Sequence, residues 1–409
     1  MTSAKQAIGV GLAAAVLAGG LAWAQTPSEI AAARGTPIVV SANVAVEATD
    51  NRDAAPSEGK TSNVDVLVTP RIDLIRRGER GSFELFYAPS LRWRSDPAPW
   101  QDETDIYHAL GVHAWHALNQ RLRIRFDNRF DFTEQPMIEN DGVRLRGDRS
   151  YWQNRAVAGL NYDLFHASNA DVAVDYRIRR YDDNATARNH DEDELSAALS
   201  LRHQLTETLR VLGVGKVVQY SYEATAIDRD FDSTILAVGF EKALAETLMA
   251  TVLAGWQGRS YSDSTQTSDG LPYVRAALNG STGRLRLTGE IEHGLRGADV
   301  TPFSSQEYLD VGGTVVVEIS GKLELVGKAI YRTSSYDEDQ TPSGTVDADF
   351  HSGLARSGDR DTLILEAGVN YRATESMRLS ARQVFEDVDS DVDVSYSKNT
   401  TRLALTAWF

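Results

Sequence analysis

The stretch Phe83-Glu84-Leu85-Phe86-Tyr87-Ala88-Pro89-Ser90-Leu91-Arg92-Trp93-Arg94 decides the fold. Phe83, Leu85, Tyr87, Pro89, Leu91 and Trp93 take alternate positions, and Glu84, Ser90, Arg92 and Arg94 fall among the residues between them. A period of two puts the two sets on opposite sides of a sheet. Strands of soluble sandwiches are usually only ~5–6 residues long. This run is roughly twice that, the length a tilted strand needs to cross a bilayer.

The same alternation recurs on either side. Val64, Val66, Val68, Pro70, Ile72 and Leu74 share one face of an earlier segment. Later, Leu122, Ile124, Phe126, Phe130 and Phe132 share a face, while Arg121, Arg123, Arg125, Asp127, Arg129 and Asp131 share the other. An interior face carrying charge after charge suits a wet lumen better than a sandwich core. Connections alternate between short and long. Ala117 to Leu122, Leu205 to Arg210, Ala243 to Leu248, Ser320 to Leu323 and Ala373 to Arg378 read as tight turns, whereas Asp182 to Glu194 and Tyr336 to Arg360 read as long acidic loops. The hairpin repeat of roughly 40 residues also suits a propeller, yet no recurrent blade signature is present. The pattern predicts an all-β fold, a transmembrane antiparallel up-and-down β-barrel of about 18 strands. Trp93, Trp115, Trp152, Tyr162, Tyr181, Trp256, Tyr331, Tyr371 and Phe385 fall near strand ends and are expected to form an aromatic girdle.

The segment before the first strand carries Lys5, an uncharged apolar run from Ala7 to Leu21, and Ala22-Trp23-Ala24. That order predicts a cleaved signal peptide over 1–24, followed by a periplasmic tail over 25–36 and the barrel over 37–409. There are 0 Cys, which removes disulfides, thiolate metal sites and a lipidated cysteine. No later uncharged run approaches the ~18 residues of a membrane helix. The net charge is -16, which argues against binding a phosphate backbone.

The closing strand runs Leu403-Ala404-Leu405-Thr406-Ala407-Trp408-Phe409. Its terminal Phe409 resembles the sorting signal read by the barrel-assembly machinery, which is thereby an expected partner. Val64 to Trp93 and the final hairpin resemble a family of outer-membrane β-barrel porins whose members include proteins of exopolysaccharide operons. In that hairpin the resemblance rests on Tyr371-Arg372, Met377-Arg378-Leu379-Ser380-Ala381-Arg382 and Arg402-Leu403-Ala404-Leu405. The resemblance implies a passive channel of the bacterial outer membrane, associated with export of a surface polysaccharide, and supplies no catalytic residue.

Motifs for chemistry are absent. His108, His113 and His116 share one segment but alternate sides, His190 lies in an acidic loop, and His293 sits near Glu290 and Glu292. No G-x-S-x-G, H-E-x-x-H or P-loop is present, so the reading is no enzyme, no cofactor and no resident metal. Acidic loops such as Asp387-Val388-Asp389-Ser390-Asp391-Val392-Asp393 could instead collect divalent cations shared with lipopolysaccharide phosphates.

The lumen-facing set holds more information. Taken literally, the alternation turns Arg92, Arg121, Arg123, Arg125, Arg129, Arg177, Arg378 and Arg382 inward among Asp and Glu. Most of these charges are expected to pair across strands, leaving a local basic patch from Arg121 to Arg129 that favours anionic polysaccharide or small anions. The rival readings are a general diffusion porin, in which Tyr336 to Arg360 folds into the pore, a closed structural barrel, and a rim hydrolase.

Overall fold

A computed structural model describes residue 31 and residues 35–97, 102–133, 150–165, 167–182, 191–223, 229–262, 268–298, 303–337 and 357–409. The signal segment, His190 and most of the two long acidic loops lie outside the described residues. The first strands are β1 (Ile38–Thr49), β2 (Asn63–Gly78), β3 (Gly81–Arg94), β4 (Thr104–Ala117), β5 (Leu122–Thr133) and β6 (Tyr151–Phe165). Next come β7 (Ser168–Tyr181), β8 (Glu192–Gln204), β9 (Leu209–Tyr222), β10 (Phe231–Ala245), β11 (Leu248–Tyr261) and β12 (Gly270–Thr282). The last six are β13 (Leu285–Gly297), β14 (Ser305–Ser320), β15 (Leu323–Tyr336), β16 (Gly358–Thr374), β17 (Met377–Ser390) and β18 (Tyr396–Trp408).

Each strand pairs antiparallel with its sequence neighbours, and β1 closes on β18 from Ser41 opposite Trp408 to Thr49 opposite Thr400. The result is a closed 18-stranded barrel, so every strand has a hydrogen-bonded neighbour on each side. At this strand number the bore is wider than side chains alone can fill. One end carries short turns, such as Gly321-Lys322 between β14 and β15 and Glu375-Ser376 between β16 and β17. Gly283 turns β12 into β13 at φ 55, a conformation glycine adopts without strain. The opposite end carries the long connections.

The outer face is apolar. Leu236 and Val238 on β10 are 65% and 71% exposed, and Ile72, Leu91, Phe126, Leu199, Val315 and Leu403 are exposed on their own strands. In water such a belt would be an aggregation surface; in a bilayer it is the contact with lipid. The belt contains two prolines, Pro70 and Pro89, facing one another across β2 and β3. Direct pairing stops there, between Val68–Leu91 and Ile72–Tyr87, because proline has no N–H to give. Thr69 and Ser90 bridge the gap on the lumen side with hydroxyls 2.8 Å apart.

Three expectations are corrected. Trp115 and Tyr181 do not join the girdle: both share the inward parity, Trp115 beneath Arg123 and Tyr181 buried against Tyr151. Asp387 and Asp389 are not loop residues, since β17 continues to Ser390; beyond the lipid, an outward position need not be apolar. The Tyr336–Arg360 loop is shorter than read, because Tyr336 closes β15, where it is fully buried, and Gly358 to Arg360 belong to β16.

Candidate functional site

The candidate site is the lumen wall, in three zones from the long-connection end to the short-turn end. At the long-connection end the β13–β14 hairpin leaves the wall. Pairing between β12 and β13 ends at Val274 opposite His293, while β13 stays paired to β14 as far as Gly297 opposite Ser305. The freed tip packs on lumen-facing side chains of β9 to β11. Gln257 donates to the Leu295 carbonyl at 2.7 Å and accepts from the Leu295 amide at 2.9 Å, so one side-chain amide replaces a missing strand neighbour. Tyr222 donates to the Ser304 carbonyl at 3.3 Å, and Tyr261 and Ser305 hydroxyls lie 2.7 Å apart. Arg229 donates to the carbonyls of Phe303 at 2.8 Å and Ala298 at 3.4 Å. Burial pulls the Arg229 guanidinium below its ordinary value, and these carbonyls compensate its lost hydration. Ala298, Phe303, Tyr336 and Val392 then form a small buried core across the mouth.

The middle zone is a ladder of ion pairs. Arg275 meets Glu290 and Glu292, and Tyr308 donates to Glu292 at 2.8 Å. Asp310 is held by Arg332 at 2.7 Å and Arg296 at 3.1 Å. Arg177 reaches Glu194 at 2.7 Å, Arg155 reaches Asp175 at 2.5 Å, and Arg129 reaches Asp131 at 2.8 Å. Arg92 is among the most enclosed: 4% exposed, it bonds Asp65 at 2.6 Å and Glu47 at 3.1 Å. Replacing Arg92 with Met is expected to destabilise the folded barrel by about 3–5 kcal/mol, because the buried Asp65 carboxylate is left without its cation. The shift of the urea midpoint for refolding into lipid vesicles measures this.

Several lumen side chains lie flat across a glycine directly opposite. Phe86 covers Gly111, Arg125 covers Gly159, and Arg382 covers Gly368. A Cβ at any of these glycines would collide with its partner.

The third zone, towards the short turns of β16 to β18, contains Arg372, Arg378, Arg382 and Arg402. Of the residues singled out from sequence, Arg92, Arg123, Arg125, Arg129, Arg177, Arg378 and Arg382 share the lumen parity. Arg121 sits exposed in the turn before β5. Arg125 lies 3.7 Å from Asp171 and Arg123 stacks 5.0 Å from the Trp115 ring, so the β5 arginines are largely engaged. Sequence reading missed the inward hairpin. Its one available signal was composition: Gly294 to Gln306 holds a single acidic residue, unlike the other long connections. Phe409 is 70% exposed, and its amide donates to the Val40 carbonyl at 2.8 Å.

Histidine chemistry does not assemble among the described residues. His113 contacts Asp127 inside the lumen, His108 meets the Tyr87 hydroxyl at 2.9 Å on the outer face, and His203 meets Ser168 at 2.8 Å near a short turn. No group of three or more metal-ligating carboxylate or imidazole side chains occurs among the described residues.

A closed barrel with an apolar exterior and an ionised interior defines an outer-membrane β-barrel protein of bacteria. Solved structures share the architecture. OpdK from Pseudomonas aeruginosa is similar at 9% identity and TM-score 0.49, over 91% of this chain and 99% of that one. OccK2 from the same organism, solved in complex with glucuronate, is similar at 10% identity and TM-score 0.47, over 91% and 98%. A BenF-like porin from Pseudomonas fluorescens is similar at 9% identity and TM-score 0.47, over 91% and 99%. These are likenesses of fold alone. No protein-family model and no curated protein matches the chain.

Proposed function

We propose that this barrel is a passive channel through the outer membrane, with its short turns in the periplasm and its long connections outside. The observation that carries the reading is the contrast between the two faces of one wall. Outward positions are apolar, and the inward positions of nearly every strand carry ionised side chains that only water or a polar solute would accompany. Export of a surface polysaccharide is the role implied by the resemblance of the final hairpin and the Val64–Trp93 segment. The inward β13–β14 hairpin favours a second reading, a porin for small solutes, because it narrows the mouth that a polymer would have to clear.

Purified full-length protein in planar bilayers tests both. Stepwise KCl conductance is expected, and its absence in well-folded protein would leave a closed structural barrel. Exclusion of graded polyethylene glycols then separates the roles: entry of only the smallest supports the solute porin, and entry of large ones supports polymer exit.

A further inference from the structure

We infer that the β16–β18 wall carries an oxyanion-binding subsite built by Arg372, Arg378, Arg382 and Arg402, which takes carboxylate-bearing solutes; this rests on the channel reading. The ladder register sets Arg372 directly opposite Arg378, and Arg382 directly opposite Arg402. Like charges facing across a sheet repel. The row Arg129, Arg155, Arg177 on β5 to β7 also sets arginines side by side, but there each has its own carboxylate in Asp131, Asp175 and Glu194.

Here the carboxylates are already taken. Glu366 binds Arg382 Nε at 3.0 Å. Glu324 is shared between Arg286 at 2.8 Å and the Asn370 amide at 3.3 Å. Glu47 lies opposite Arg402 in the register but bonds Arg92 instead. Among the described residues no carboxylate pairs with Arg372, Arg378 or Arg402.

A second observation points to a ligand. Arg378 Nε and Nη1 and Arg382 Nη1 are buried with no hydrogen-bond partner among the described residues. The Arg378 guanidinium is 5.7 Å from the Trp408 ring, which supplies no acceptor, and Arg382 is laid across Gly368. Buried donors are almost always satisfied, and an ionised one more so. An oxyanion entering from the lumen would supply the missing acceptors, and guanidinium forks match carboxylate geometry. Arg378 and Arg382 are four residues apart on β17, roughly 13 Å along the strand. A compact anion therefore occupies one pair at a time, whereas a solute with several carboxylates offers each guanidinium of a pair its own fork.

The test reads binding on the detergent-solubilised full-length barrel, so it stands whether or not the pore conducts. The thermal unfolding midpoint is followed against citrate and, separately, against inorganic sulfate, at constant ionic strength. Citrate is expected to raise the midpoint saturably and more strongly than sulfate. Arg378→Gln and Arg382→Gln should each weaken citrate about tenfold, the loss of one charge-assisted fork. Arg129→Gln, in the neutralised row, should leave citrate affinity unchanged. If either β17 variant fails to fold, Arg402→Gln serves, because this exposed side chain anchors no other residue. Equal weakening by Arg129→Gln, or no weakening by the β16–β18 variants, would overturn the subsite in favour of a diffuse lumen potential. Sulfate binding as tightly as citrate would overturn the preference for multiple carboxylates. KCl conductance, measured in parallel, tests the channel reading on its own.

Discussion

Excising the tip of the β13–β14 hairpin, by joining Gly294 to Glu307 through a two-residue turn, is expected to raise single-channel conductance severalfold. The tip brings Phe303 into the lumen mouth against Tyr336 and Val392, with the Phe303 and Tyr336 rings 5.1 Å apart. It is anchored from the opposite side by Arg229, Gln257 and Tyr222. Because Gln257 and Tyr222 belong to the wall and Arg229 to the connection before β10, the barrel itself should survive the deletion. Arg229→Ala is the milder form, removing the clamp on Ala298 and Phe303 and converting a steady current into one interrupted by closures. Unchanged conductance after excision would place the hairpin beside the ion path rather than in it.

The second large effect concerns the outer face. Val238→Arg is expected to cost about 2–4 kcal/mol of folding stability in a bilayer, the range for a cation near the midplane. Val238 lies mid-strand, faces outward and is 71% exposed, so its guanidinium would have no lumen carboxylate to meet. Urea titration of the vesicle-inserted protein measures the loss. The same substitution should cost far less in detergent micelles, where water reaches the belt. An equal penalty in both media would mean that Val238 packs against protein rather than lipid.

Much of the architecture was legible from alternation. The segments around Val64, Phe83 and Leu122 sort onto the two faces as their parity predicts, and the turns at Asn119-Gln120 and Glu375-Ser376 sit where strand ends required them. Parity is a local property, and a strand reports it residue by residue. What stayed hidden is non-local. Trp115 was placed by its distance from a strand end, which says nothing about its side of the sheet; Arg123 stacking over it does. The hairpin tip is held by Gln257, 38 positions from Leu295, and by Arg229, 74 positions from Phe303. No window along the chain contains both partners. Charge pairing was equally opaque. Arg155 and Arg378 have the same inward parity, and only the geometry of neighbouring strands gives one a carboxylate and leaves the other without.

The glycines beneath Phe86, Arg125 and Arg382 bear on how such a passage changes calibre over time. Each lets a bulky side chain recline on the wall rather than stand into the bore, so aperture there is a property of a facing couple. Exchanging the glycine alone would drive its companion upright and constrict the passage, and trimming the companion alone would thin the wall without moving it. A lineage tuning this passage to larger or smaller cargo would therefore have to alter both members together, and such positions should covary.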